Sequence, residues 1–274
     1  MTLSILGCGW LGLPLATKLA AEGTTVRGST TNHSKLTELN ERGIDPFLIN
    51  VNDQLRCEEH PDFWESELLI INIPPGRSRR DVRSRHPREV DAIRQCVESG
   101  SIRRVLFVSS TSVYHKFGGV KTEEDAGREP ATSESGEALL EAEATLRAAE
   151  AFDTTILRLG GLYGYNRHPA KNLSGRKNLS GGERPVNLIH RDDAISILLK
   201  LIHSDIRNDT FNAVSDGHPT RKEFYCEMAR ALGVEEPQFT PEKESASYKI
   251  ISNEKLKRKL SYEFLYPHPA DPAP

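Results

Sequence analysis

The sequence predicts an α/β fold built on a doubly wound parallel sheet, and three observations lead there. A β-prone run, Leu3 to Leu6, feeds straight into Gly7, Gly9 and Gly12, spaced as G-x-G-x-x-G, and then into an alanine- and leucine-rich stretch of helical character. Two later runs, Leu68 to Ile73 and Val105 to Val108, are continuously apolar, as strands buried on both faces are. Strand-like and helix-like segments alternate from Leu3 to Leu159, the order that a parallel sheet with crossover helices produces.

Each glycine of the first turn has its own task. Gly7 permits a tight strand-to-helix turn that a Cβ would obstruct. Gly9 lets the backbone approach a pyrophosphate, and Gly12 lets the helix pack closely on the strand. Phosphates then meet a helix N-terminus, where unpaired N–H groups and the macrodipole favour negative charge. Gly7, Gly9, Trp10, Leu11 and Gly12 are therefore the expected pyrophosphate contacts of a dinucleotide, against the alternative of a purely structural turn.

The totals limit the choice of partner. With 274 residues, the chain suffices for one large or two small domains, and 37% hydrophobic with 27% charged residues is a globular balance. A net charge of −3 gives no general attraction to nucleic acid or anionic membrane, and no apolar run is long enough to span a bilayer. The apolar N-terminus lacks a basic flank and is used by the glycine motif, so it does not read as a signal peptide. Cys8, Cys57, Cys96 and Cys226 are scattered without a C-x-x-C pair, which predicts reduced thiols and a cytoplasmic protein. Cys8 lies within the glycine turn, as a reactive thiol or as a small side chain tolerated there.

The second strand, Thr24 to Ser29, ends where this fold takes the adenosine ribose. An acid there would select NAD; instead the chain reads Gly28, Ser29, Thr30, Thr31, with Asn32, Ser34 and Lys35 just beyond. Hydroxyls, amide and ammonium suit a 2′-phosphate, so NADP is expected, with NAD as the alternative. Arg27 stands nearby without a defined direction. A helix to about Arg42 and a strand at Pro46 to Val51 follow. Ile73 and Pro74, at the carboxyl end of the apolar strand, are expected against the cofactor. The stretch Arg77 to Arg88 carries six arginines and reads either as a clamp on an anion or as a solvated loop and helix start.

Val90, Ile93 and Val97 mark a helix face, and Val105 to Val108 leads into Ser109, Ser110, Thr111, Ser112, Val113 and Tyr114. Glu134 to Ala151 is helical and Thr154 to Leu159 is a strand. From Gly160 the character changes: Tyr163 to Pro185 is rich in glycine, asparagine and basic residues, and Lys171–Gly175 (KNLSG) recurs as Lys177–Gly181. A flexible loop or lid is the reading. Val186 to His190, a helix Asp192 to His203, a strand Thr210 to Ala213 and two helices, about Thr220 to Leu232 and Asn253 to Leu260, complete the chain, with a frayed proline-rich tail after Tyr266.

Four motifs now stand in one order: GCGWLG, VSSTSVY at Val108 to Tyr114, ILRLGGLYG at Ile156 to Gly164 and NLIHRDDA at Asn187 to Ala194. In that order the chain resembles the extended short-chain dehydrogenases/reductases, the NAD-dependent epimerase/dehydratase family, and within it the atypical bacterial branch of YeeZ-type proteins. The resemblance implies a Rossmann domain for NAD(P), residues 1–160 with 186–215 returning to it, and a small C-terminal substrate domain, residues 161–185 and 216–274. It implies that Ser110 matches the family's catalytic Ser/Thr and that Ser109 adjoins the cofactor. Substrates in the wider family are often nucleotide sugars. The family's Tyr-Gly-x-x-Lys is missing: Ser135 stands for the tyrosine and Leu139 for the lysine, while Glu143 keeps a downstream acid.

An aliphatic hydroxyl cannot replace a phenol flanked by an ammonium, and a positioned acid/base is worth about 10²–10⁴-fold. Tyr163 is taken as the substitute, with Tyr114, Tyr165, His168 and His190 as rivals. Thr111, Arg158, His168 and His190 are expected to contact a small-molecule substrate. Each also has a structural reading: the tyrosines as packing, His190 as a backbone partner, Arg158 as one half of an ion pair, Asp192 or Asp193 as a helix cap. Two functions stay open. One is an atypical oxidoreductase or epimerase-class enzyme in which Ser110 polarises a substrate oxygen. The other is a non-catalytic sensor or scaffold that responds to NAD(P).

Overall fold

The computed structural model describes residues 1–76, 81–241 and 248–269. In chain order the strands are β1 Thr2–Leu6, β2 Thr25–Thr30, β3 Asp45–Leu48, β4 Leu68–Ile71, β5 Arg104–Ser110, β6 Val120–Lys121, β7 Asp153–Leu159, β8 Gly161–Tyr163, β9 Leu188–His190, β10 Thr210–Ala213 and β11 Ile250–Ile251. The helices are α1 Gly12–Ala21, α2 Leu36–Glu41, α3 Pro61–Trp64, α4 Val82–Ser99, α5 Glu134–Arg147, α6 Arg191–His203, α7 Arg221–Ala231 and α8 Glu254–Leu260.

Among the described residues, seven strands form one sheet in the order β10-β7-β5-β4-β1-β2-β3. The pairs β1–β2, β1–β4, β2–β3 and β4–β5 are all parallel. This is the doubly wound Rossmann sheet that the sequence predicts. The order reverses between β1 and β4, so the crevice for a ligand opens at their carboxyl ends. The register sets Leu6 against Ile71 and Ile71 against Phe107, which aligns the ends that carry the glycine turn and Asn72, while β5 runs three residues further to its serine cluster. All four residues of β4 are buried, which accounts for its unbroken apolar run.

By contact the chain divides into two compact units. The first is Met1–Val113 with Ala131–Arg158 and Leu199–Thr210. The second is Tyr114–Pro130 with Leu159–Leu198 and Phe211–Pro274. Residues 114–130, 186–198 and 211–215 thus group with the second unit, where the sequence boundaries assign them to the first domain.

The first unit packs Leu15, Ala16 and Leu19 of α1, Val90, Ile93 and Val97 of α4, and Ala138, Leu139, Ala142 and Leu146 of α5 as its buried helix faces. Helix α5 stops at Arg147, short of Ala151, because Thr154 Oγ1 takes the Leu146 carbonyl. A bridge joins Cys57 to Cys96, with Cα atoms 5.2 Å apart, while Cys8 and Cys226 are free. Reduced thiols throughout is therefore corrected for that pair: the fold brings together two cysteines 39 residues apart, a proximity that spacing alone does not reveal.

In the second unit β8 pairs with β9 and β11 with β6, short ladders with no clear periodic signal. Tyr163, Val186, Leu188 and Phe224 form its core, with Tyr225 and Met228 against them. The glycine-rich loop is stitched rather than open. Ser174 Oγ and Gly175 N donate to the Glu235 carbonyl, and Leu179 N donates to that of Gln238. Both copies of KNLSG thus fasten to the strap after α7. Nor is the tail loose up to Pro267, whose carbonyl accepts from Gly217 N.

Asp193, expected as a helix cap, is fully buried and serves residues distant in the chain. It accepts from Tyr262 Oη at 2.7 Å, Leu265 N at 2.8 Å and Tyr266 N at 3.0 Å. A buried carboxylate with three donors is a strong fastener, since hydrogen bonds to a charged group contribute about 1.5–3 kcal/mol each. Asp193→Ala is expected to lower the stability of the chain by about 3 kcal/mol in urea denaturation and to open residues 262–266 to limited proteolysis. An unchanged midpoint with an intact C-terminal segment would remove Asp193 from that role.

Candidate functional site

The glycine turn is clamped from both sides. Gly7 adopts φ +105°, and a Cβ there would lie 2.6 Å from the Asn72 carbonyl oxygen. Gly7 N donates to Ser29 Oγ at 2.9 Å, and Asn72 Nδ2 donates to the Gly7 carbonyl at 2.9 Å. Gly12 is tighter still, since its Cβ would meet the Gly7 oxygen at 2.2 Å. Gly9 is different: it is exposed, and a Cβ there would meet nothing within 4 Å. Packing thus explains Gly7 and Gly12, while the space over Gly9 is left open to solvent. Trp10 is half-buried, and Leu11 is buried at the N-cap of α1. No side chain caps α1 and no acid stands in its first turn, so the positive end of the helix faces the turn uncompensated.

Cys8 tucks inward, and burial pushes its thiol up to about 12, so it is the small packed side chain and not a nucleophile. At the end of β2, Ser29 is occupied by Gly7, and Thr30 Oγ1 accepts from Asn32 N at 3.1 Å. Thr31, Asn32, Ser34 and Lys35 are exposed. Arg27 turns away from them and donates to the carbonyls of Asp62 and Glu65, at the end of α3. Ile73 is half-buried and Pro74 exposed, both directly after β4. Of the basic stretch, Arg77, Arg79 and Arg80 lie outside the described residues. Arg83 pairs with Glu137, Arg88 with Asp53, and Arg85 with Glu89 and the Pro75 carbonyl. Arg83 and Arg88 read as the solvated helix start, while Arg85 is half-buried against the buried Glu89.

At the carboxyl end of β5, Ser109 Oγ donates to Glu143 at 2.7 Å. Arg158, 2% exposed, grips the same carboxylate through Nε at 3.0 Å and Nη2 at 2.6 Å. Arg158 is thus an internal ion-pair partner, not a side chain presented to a ligand, because its charge is matched inside the unit. Ser110 is half-buried and its Oγ accepts from Ser112 N at 3.2 Å. A hydroxyl accepts and donates independently, so that contact leaves the Ser110 hydrogen for another acceptor. Thr111 is buried behind it. On α5, Ser135 and Leu139 are both buried, and Gly136 packs so closely that a Cβ would lie 2.2 Å from the Ser112 carbonyl oxygen.

The second unit holds the remaining expected residues. Tyr163 packs edge-on to His190 at 5.2 Å and to Phe224 at 6.2 Å. His190 stacks on Tyr266 at 3.6 Å, and its Nδ1 accepts from Asp192 N at 3.2 Å. Burial lowers the His190 pKa, with Asp192 and Asp193 opposing, in this packed cluster. Tyr114 is fully buried and donates to Asn212 at 2.7 Å. Tyr165, exposed, donates to Asp192, and the Arg191 guanidinium lies 3.7 Å over its ring. His168 is half-buried at the start of a short turn, Pro169–Asn172. Burial and nearby Lys121 push the Lys249 amine down to about 8, while it donates to the Tyr114 carbonyl at 3.1 Å.

Sequence reasoning missed Asn72, which holds the turn, and the joint hold of Glu143 on Ser109 and Arg158. Asn72 was hidden because it ends an apolar strand and no motif covers it. Among the described residues, no helix is long and apolar enough to cross a membrane, and no cluster of His, Cys, Asp or Glu could hold a metal.

No protein-family model matches the chain. Among curated proteins, protein YeeZ of Escherichia coli (strain K12) is 35% identical over 274 residues, covering 97% of this chain and 96% of that protein. Among solved structures, the UDP-glucose 4-epimerase of Thermotoga maritima with UDP-glucose superposes with a TM-score of 0.78 at 17% identity, covering 96% of this chain and 94% of that one. A double mutant of dTDP-glucose 4,6-dehydratase from Streptomyces venezuelae with NAD bound gives 0.77 at 18% identity, over 96% of this chain and 92% of that one. At such identities the two structures speak for the fold.

Two measurements test this geometry. Gly12→Ala is expected to cost about 3 kcal/mol, because a rigid backbone oxygen must move, and Asn72→Ala to cost less, since it removes one hydrogen bond worth about 1 kcal/mol; urea denaturation reads both, and an unaffected Gly12→Ala would contradict the clamp. For His190 and His218, burial lowers both pKa values below the unfolded value of 6.5. The unfolded chain therefore binds more protons below 6.5, and stability falls as pH drops through that value. Thermal midpoints should decline on acidification, and His190→Phe, which keeps a ring against Tyr266, should decline less steeply; equal slopes would place the acid sensitivity elsewhere.

Proposed function

The chain belongs to the YeeZ-type proteins, and on that premise we propose that it belongs to an atypical branch of the extended short-chain dehydrogenases/reductases and binds NADP at the Gly7–Gly12 turn. The observation that carries this reading is Gly9, whose missing side chain serves no packing purpose while its neighbours Gly7 and Gly12 are packed to the limit. The uncapped positive end of α1 supports it, because a pyrophosphate is the charge that such an end favours. Relatives of the same fold with NAD or UDP-glucose in their structures are consistent with it. Thr31, Asn32, Ser34 and Lys35, with no acid among them, favour the 2′-phosphate of NADP over the free hydroxyl of NAD. Ser29 and Thr30 act behind them, by holding the turn and the strand end.

Bound there, the nicotinamide supplies hydride transfer. Ser110 offers a hydrogen to a substrate oxygen and polarises it, on a small polar or nucleotide-sugar-like molecule. Ser109 and Thr111 steady that strand end, Ser109 through Glu143. A second reading, a non-catalytic NAD(P)-responsive sensor, is favoured by one observation: Leu139 is 2% exposed in the core where the family keeps an ammonium.

Calorimetry with NADPH and NADH tests the cofactor. The wild type is expected to bind NADPH more tightly, Gly9→Val to lose about tenfold or more in affinity with its stability unchanged, and Lys35→Glu to weaken NADPH selectively. No binding of either nucleotide would overturn the proposal. Turnover of a panel of carbonyls and nucleotide sugars, abolished in Ser110→Ala, would decide for the enzyme; binding without any turnover would decide for the sensor.

A further inference from the structure

We propose that the Cys57–Cys96 bridge is a redox-operated latch on the adenosine end of the nucleotide groove. This rests on the dinucleotide reading above. The segment after β3 leaves the sheet at Ile49, whose N–H donates to the Thr30 carbonyl at 3.0 Å, beside the strand end that takes the ribose in this fold. From there to Cys57, an ion pair and a covalent bond reach α4. One is the ion pair of Asp53 with Arg88 at 3.4 Å, both more than half exposed, which is weak in water. The other is the bridge itself, from Cys57 on its short 3₁₀ turn to Cys96 in the last turn of α4.

The two residues differ in burial: Cys57 is half-buried, while Cys96 is fully buried, so the reductant is taken to reach the bridge from the Cys57 side. A thiolate of a dithiol reductant attacks Cys57 Sγ, and the S–S bond breaks with Cys96 leaving as a thiolate that takes up a proton. The reductant's second thiolate then displaces Cys57 as its thiolate, which is also protonated. Two electrons pass to the protein, and the reductant is left as a disulfide. With the bridge open, the segment that follows Ile49 loses its covalent tie to α4, and the stretch leading away from the Thr30 strand end loosens. An oxidised chain thus holds the nucleotide more tightly than a reduced one, the behaviour of transient intracellular disulfides that sense redox state.

The test compares air-oxidised protein, protein treated with dithiothreitol, and Cys57→Ser, each with its thiols counted by Ellman titration after denaturation. NADPH affinity by calorimetry is expected to fall about tenfold on reduction, and Cys57→Ser to match the reduced protein and ignore dithiothreitol. Hydrogen exchange at residues 50–57, without nucleotide, is expected to speed up in the reduced protein and in Cys57→Ser. Equal exchange with and without the bridge, or equal NADPH affinity at verified thiol counts, would overturn the latch. Four free thiols in the air-oxidised protein would also overturn it. Faster exchange with no NADPH binding in either state would instead strike the dinucleotide reading and the latch's proposed purpose, leaving only a redox-controlled loop.

Discussion

The fold of the first unit turns on one clamp: both polar groups of the Gly7 peptide segment are held by neighbouring strands. Its N–H goes to Ser29 at the end of β2, and its carbonyl takes the Asn72 amide just beyond β4. These two bonds pin the loop between β1 and α1 at the place where strand order reverses. They also set how close α1 comes, because Gly12 lies against the same Gly7 oxygen. Remove the clamp, and the position of the helix end relative to the crevice is no longer defined.

A second fixed point sits at the end of β5. Glu143 ties Ser109 and Arg158 together inside the unit, so the serine-rich strand end rests on a neutralised ion pair. Burying such a pair gives uncertain net stability, but breaking one half is costly. The physical consequence is a rigid ledge for Ser110. The buried Ser135 and Leu139 show that the same ledge exists without the phenol and ammonium of the wider family.

Much of this was legible in residue order. The glycine spacing, the unbroken apolar runs and the helical faces mark elements whose existence depends on near neighbours and on burial period. The short ladders β6–β11 and β8–β9 were not legible, since two- or three-residue strands carry no period. The lid reading of Tyr163 to Pro185 also missed its partner, because the strap after α7 that fastens both KNLSG copies lies far along the chain. The cysteines were misread for a related reason: scattered spacing says nothing about distance in space.

By itself, the sequence determined the sheet class, the site of the turn and which residues line the strand ends, because backbone conformation and alternation of burial are local properties. The tertiary structure alone decided what each polar side chain does. Arg27 serves the carbonyls of Asp62 and Glu65, Arg158 serves Glu143, and Asp193 holds the segment Tyr262–Tyr266. Asn72 reaches Gly7 across 65 residues of chain. Charge and hydrogen-bonding capacity are written in a residue's identity, but a partner is chosen by proximity, and proximity between distant segments exists only once the chain has folded.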